Sequence, residues 1–100
     1  MSRQTKAVKE YLFDKYGYYC EVCKKRFKRS ALTGHHIIMK SKGGEASIEN
    51  ILIACHYCHF VVINDLEYDS EEYWELMYRA LKHRSPEDIG KFPFPKSEKD

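Results

Sequence analysis

No stretch of this chain approaches the roughly 20 apolar residues that a membrane-spanning helix needs. The opening Met1-Ser2-Arg3-Gln4-Thr5 also lacks the apolar core of a signal peptide. A bilayer anchor and secretion are therefore not expected, and a cytoplasmic location is. Internal repeats and low-complexity segments are missing as well, which argues against a repeat array or a disordered tract. With 100 residues there is room for one small domain and a thin core. A metal staple is a useful source of stability at that size.

What is present is chemically concentrated. Cys20-x-x-Cys23 and Cys55-x-x-Cys58 are two paired thiol units. In a reducing compartment such pairs are more often metal ligands than disulfides. Each pair can fold as a knuckle offering two thiolates, so Cys20, Cys23, Cys55 and Cys58 are the expected ligands of one structural zinc. A disulfide or a redox pair is the competing reading. The 31 residues between the pairs exceed ribbon spacing and must hold a folded insertion. His35, His36 and Asn50 lie inside that insertion, and His59 follows the last cysteine directly.

The net charge of +2 hides a division. Residues 1–44 carry eleven basic and three acidic side chains, whereas residues 45–100 carry six basic and twelve acidic. The basic half suits a polyanion. Lys24, Lys25, Arg26, Lys28 and Arg29, with Lys40 and Lys42, flank the metal-ligand candidates and are the expected phosphate contacts. No helix offers an evident set of base-reading side chains, so binding with low sequence specificity is expected.

Apolar periodicity predicts a helix over 4–16, stopped by Gly17. Residues 33–39 read as a strand ended by Ser41-Lys42-Gly43-Gly44, and 47–53 as a loop entering a second strand. A helix is predicted from His56 with Phe60, Val61 and Ile63 turned inward. Another starts near Asp69, where Glu72 completes a capping box, and carries a stripe of Tyr73, Trp74, Met77 and Leu81. Ser85-Pro86 marks one more helix start. His83 is expected to meet solvent or phosphate. Residues 1–90 are taken as one domain with its core at 18–66, and 91–100 as a tail.

The ordered combination His35-His36-Ile37-x-x-x-Ser41-x-Gly43-Gly44, then Asn50 within Ile48-Glu49-Asn50-Ile51, then Cys55-x-x-Cys58-His59, resembles the HNH nuclease family across residues 20–64. The resemblance implies an α+β fold, a small zinc-stapled ββα-metal (His-Me finger) domain with flanking N- and C-terminal helices. It implies a metal-dependent DNA endonuclease of the kind frequent in phages and mobile elements, acting on double-stranded DNA. His36 would be the general base, His35 and His59 the ligands of one catalytic divalent ion (Mg²⁺, Mn²⁺, Ni²⁺ or Zn²⁺), and Asn50 the residue that orients the His36 loop. The chain departs from the family pattern at Thr33, where an acidic residue is frequent, at Met39 in place of Pro, and at Val62-Ile63-Asn64, where some relatives carry a further His. His56 is a reserve ligand. The alternatives are a catalytically inactive nucleic-acid-binding module on the same scaffold and a protein-interaction adaptor using the Trp74 helix.

Overall fold

The computed structural model describes residues 3–90. Helix α1 (Arg3–Tyr16) buries Thr5, Leu12 and Phe13 on one side, with Val8 and Tyr16 packed beside them. Gly17 ends it as expected. Its φ of +90° suits glycine, and its N–H bonds the Phe13 carbonyl at 2.8 Å. The chain then turns tightly through the first thiol pair. Cys20 N–H bonds Lys25 O and Lys24 N–H bonds Cys20 O, each at 2.9 Å, with Lys24 in the left-handed region at φ +65°.

Strand β1 (Leu32–His36) pairs antiparallel with β2 (Ile51–Cys55), with Leu32 opposite Cys55 and His36 opposite Ile51. All five residues of β2 are buried. It therefore reads Ile-Leu-Ile-Ala-Cys without polar alternation, as a strand covered on both faces must. Helix α1 and helix α2 (Glu71–Leu81) both pack on it. Fully burying one Ile or Leu side chain there contributes about 1.5–3 kcal/mol. The predicted strand to Met39 stops earlier, at His36, because the following backbone turns to bond Asn50 instead of continuing the ladder.

After His56 the chain forms a π-helix (Cys58–Ile63). This corrects the predicted packing. Ile63 is buried, but Phe60 and Val61 point outward at 59% and 48% exposure, because the wider turn carries them off the core face. The start of α2 is also corrected. Ser70 is the N-cap, its hydroxyl accepting from Tyr73 N–H at 3.1 Å. Asp69 sits outside at φ +71° and accepts from the Trp74 indole at 2.7 Å. The stripe of Tyr73, Trp74, Met77 and Leu81 is buried as its spacing predicted, so Trp74 offers no docking surface for an adaptor. Helix α3 (Pro86–Ile89) starts at Ser85 with Pro in its first turn, as predicted. The expected tail at 91–100 lies outside the described residues, among which no helix is long and apolar enough to cross a membrane. The result is a small mixed domain, two antiparallel strands and a helix beside a four-cysteine cluster, which matches the expected ββα class.

Candidate functional site

The four cysteines converge. Their sulfurs all lie within 4.8 Å of one another, and all four are free thiols. A tetrahedron with zinc–sulfur bonds of about 2.3 Å has corners about 3.8 Å apart, so the cluster fits that ion. Two backbone amides support it, Cys23 N–H to Cys20 Sγ and Cys58 N–H to Cys55 Sγ, both at 3.4 Å. Burial and the neighbouring thiols push Cys58 well above the ordinary thiol range. A zinc ion held by Cys20, Cys23, Cys55 and Cys58 would relieve that opposition by keeping the thiols as thiolates.

The histidines form a second centre. His35 in β1 and His59 in the π-helix meet edge to face, ring centres 5.1 Å apart. An imidazole nitrogen about 2.1 Å from an ion puts its ring centre about 3.2 Å away, so two rings at about 90–110° have centres about 4.5–5.2 Å apart. The observed separation fits a shared ion. Burial, then His59 and His36, hold His35 down at about 4. Burial and Lys40 lower His36, and burial and His56 lower His59. All three are neutral at pH 7, the form that binds a metal or accepts a proton.

The rings of His35 and His59 each have a hydroxyl partner. His35 Nε2 lies 2.8 Å from Tyr73 Oη, and His59 Nδ1 lies 2.7 Å from Thr33 Oγ1. Sequence reasoning took Thr33 as a departure from pattern and Tyr73 as core. Two signals were available. Thr33 and His35 share a strand face at i, i+2, and a buried Tyr needs a partner for its hydroxyl.

Asn50 is buried beneath the loop that follows His36. Its carbonyl oxygen accepts from Ile38 N–H at 2.8 Å, and its amide donates to Ile38 O at 3.1 Å and Glu45 O at 3.0 Å. It closes the 38–45 loop into a fixed ring, with His36 at the strand end just before it. Gly44 is required there, since a Cβ would collide with the Ile38 carbonyl.

The expected phosphate contacts separate into two sets. Lys25, Lys28, Lys40 and Lys42 are exposed. Lys24, though exposed, donates to Ala80 O at 3.2 Å, Arg26 stacks on Tyr19, and Arg29 pairs with Glu10. An open cavity of about 610 Å³ between α1 and β1 is lined by Lys9, Lys28, Arg29, Thr33 and His56. Thr33 joins this basic hollow to His59, and the part that Lys9 and His56 take in lining it was not legible in the sequence. His56 is exposed and, among the described residues, forms no group of three metal-ligating side chains with the histidine pair.

Residues 20–60 match the family model described as HNH endonuclease. Over that segment, 41 of the 100 residues, the chain is similar to the HNH endonuclease family. The match begins at the first cysteine and ends one residue past His59, so it holds both thiol pairs, β1, Asn50 and β2. Anaredoxin of Nostoc sp. (strain PCC 7120 / SAG 25.82 / UTEX 2576) is 43% identical over 42 residues. That similarity spans 42% of this chain and about half (53%) of the relative's length. A comparison with solved structures gives no match.

Proposed function

We propose that the chain is a metal-dependent DNA endonuclease in which His36 is the general base and His35 with His59 holds one divalent ion. The observation that carries this reading is the His35–His59 ring pair, 5.1 Å apart, beside a His36 whose following loop is closed by Asn50. Neutral His36 takes a proton from a water molecule, whose oxygen attacks phosphorus as the P–O3′ bond breaks. The ends are a 5′-phosphate and a 3′-hydroxyl, the leaving oxygen gaining its proton from solvent. When bound, the ion supplies Lewis-acid stabilisation of charge on the non-bridging and leaving oxygens. His35 and His59 are both imidazoles, which favours Ni²⁺ or Zn²⁺ over Mg²⁺. Exposed Lys25, Lys28, Lys40 and Lys42 hold backbone phosphates, giving salt-dependent affinity with little sequence preference.

Incubating supercoiled plasmid with the zinc-loaded protein and Mg²⁺, Mn²⁺, Ni²⁺ or EDTA tests the reading. Nicked or linear product that requires an added ion and is lost in His59→Ala is expected. Retained DNA binding without cleavage under every ion would instead make the chain an inactive nucleic-acid-binding module.

A further inference from the structure

Resting on the reading of His35 and His59 as ligands, we infer that Tyr73 and Thr33 are positioning residues that select which nitrogen of each histidine is left to bind a metal. A hydroxyl has one hydrogen to give. The Tyr73 hydroxyl gives its hydrogen to the Ile37 carbonyl at 2.6 Å. Its 2.8 Å contact with His35 Nε2 must then be made by the imidazole donating Nε2–H. Thr33 does the same on the other side. Its hydroxyl donates to the Ala54 carbonyl at 2.9 Å, so at 2.7 Å His59 must donate Nδ1–H to Thr33 Oγ1. A neutral imidazole carries one N–H, and the other nitrogen keeps a lone pair. The ligating atoms are therefore His35 Nδ1 and His59 Nε2.

This makes α2 part of the site although it lies outside residues 20–60. Tyr73 is only 2% exposed, so water does not compete for its hydroxyl. It also explains the departure at Thr33. A threonine opposite Ala54 can reach both a backbone carbonyl and the helix histidine. Hydrogen-bond partners of this kind set the tautomer and orientation of metal-bound histidines, and losing one typically lowers metal affinity about 10–100-fold.

The test is two-bond ¹H–¹⁵N correlation spectroscopy on the ¹⁵N-labelled, zinc-loaded full chain at mildly alkaline pH, paired with Mn²⁺ titration. Wild type should show His35 as the Nε2–H tautomer and His59 as Nδ1–H. Tyr73→Phe should average the His35 tautomers, and Thr33→Val should do the same at His59, while Thr33→Ser restores Nδ1–H. Mn²⁺ affinity should fall about 10–100-fold in Tyr73→Phe and Thr33→Val and recover in Thr33→Ser. A wild-type His35 carrying Nδ1–H, or tautomers unmoved by both substitutions, overturns the inference. If Tyr73→Phe does not fold, the Thr33 pair of variants decides. Correct tautomers in a wild type that binds no Mn²⁺ would uphold the tautomer assignment and sink the metal reading instead.

Discussion

Glu21, set between the first two zinc-ligand candidates, is gripped by both arms of Arg84 from the far end of the chain. Arg84 Nε donates to Glu21 Oε2 and Nη2 to Oε1, each at 2.6 Å. Arg84 also donates to the Ile48 and Ile51 carbonyls at 2.8 and 2.7 Å, and Glu21 accepts from Ile53 N–H at 2.8 Å. His83, expected at solvent or phosphate, lies 2.7 Å from Glu21 Oε2 instead. One buried ion pair thus ties the first thiol pair, β2 and the segment after α2 into a unit. Arg84→Met strips the buried Glu21 carboxylate of its guanidinium, leaving it only Ile53 N–H and His83, and should cost about 3–5 kcal/mol by urea denaturation. Replacing both, Glu21→Leu with Arg84→Met, should cost less than the two single losses combined. Additive losses would show that the pair does not act as a unit.

The loop after His36 makes a second demand. Asn50→Asp exchanges an amide that donates to two carbonyls for an oxygen facing them. It should destabilise the fold by about 1–3 kcal/mol, the usual cost of leaving buried polar groups unsatisfied. Gly44→Ala meets the Ile38 carbonyl and should mimic it. Both variants should lose amide-exchange protection at Ile38, whose N–H bonds Asn50. Protection retained at wild-type level in both would rule out the closing role given to Asn50.

How much of this was legible in the sequence differs by residue. Asn50, His59 and the two thiol pairs carry their chemistry in side-chain type and spacing, and the structure brings the pairs together as their spacing predicted. Helix α1 and the α2 stripe followed from apolar period alone. Phe60 did not, because a π turn shifts the face of every residue after it and leaves no period to read. Asp69 was mistaken for the cap because Ser70 beside it also suits that role. The Glu21–Arg84 pair joins residues 63 positions apart, and a charged side chain in sequence looks the same buried or solvated. Tyr73 and Thr33 were hidden differently, as ordinary core and strand residues whose hydroxyls gain meaning only beside a histidine.

Metal removal should separate the thiol cluster from the histidine pair. Chelation of zinc, or Cys20→Ser, should unfold the domain, since an ion held by the four converging sulfurs would join the two chain segments. His59→Ala should leave both zinc content and fold intact. Circular dichroism with zinc analysis reads both. A chelated protein that keeps its wild-type melting temperature would mean the cluster is not a structural staple.

Asp88 offers a pH test away from both centres. It accepts from Tyr11 at 2.9 Å, and Tyr16, Ser85 and Lys15 also contact it, joining α1 to α3. Burial works against its charge, but hydrogen bonds from Tyr16, Lys15 and Tyr11 hold its carboxyl at about 2, below the usual 3.8. A lowered folded pKa means the unfolded chain takes up the proton first as pH falls. The contribution is therefore full above about pH 4 and lost on descending through about pH 2. Zinc loss on acidification acts on wild type and Asp88→Asn alike, so the readout is the gap between their melting temperatures. Wild type should be higher at neutral pH, with the gap constant down to about pH 5 and shrinking below about pH 4. A gap that widens there would contradict the assignment.

In the proposed reaction His36 performs the proton transfer of a metal-dependent nuclease. The most direct measurement is the rate of supercoiled plasmid nicking with Mn²⁺ or Ni²⁺, wild type against His36→Ala, at equal zinc content and equal melting temperature. General-base catalysis contributes typically about 10²–10⁴-fold, so the variant should slow by at least about 100-fold and keep its DNA affinity. Equal rates in the two proteins, or no cleavage by wild type with any divalent ion, would contradict the account.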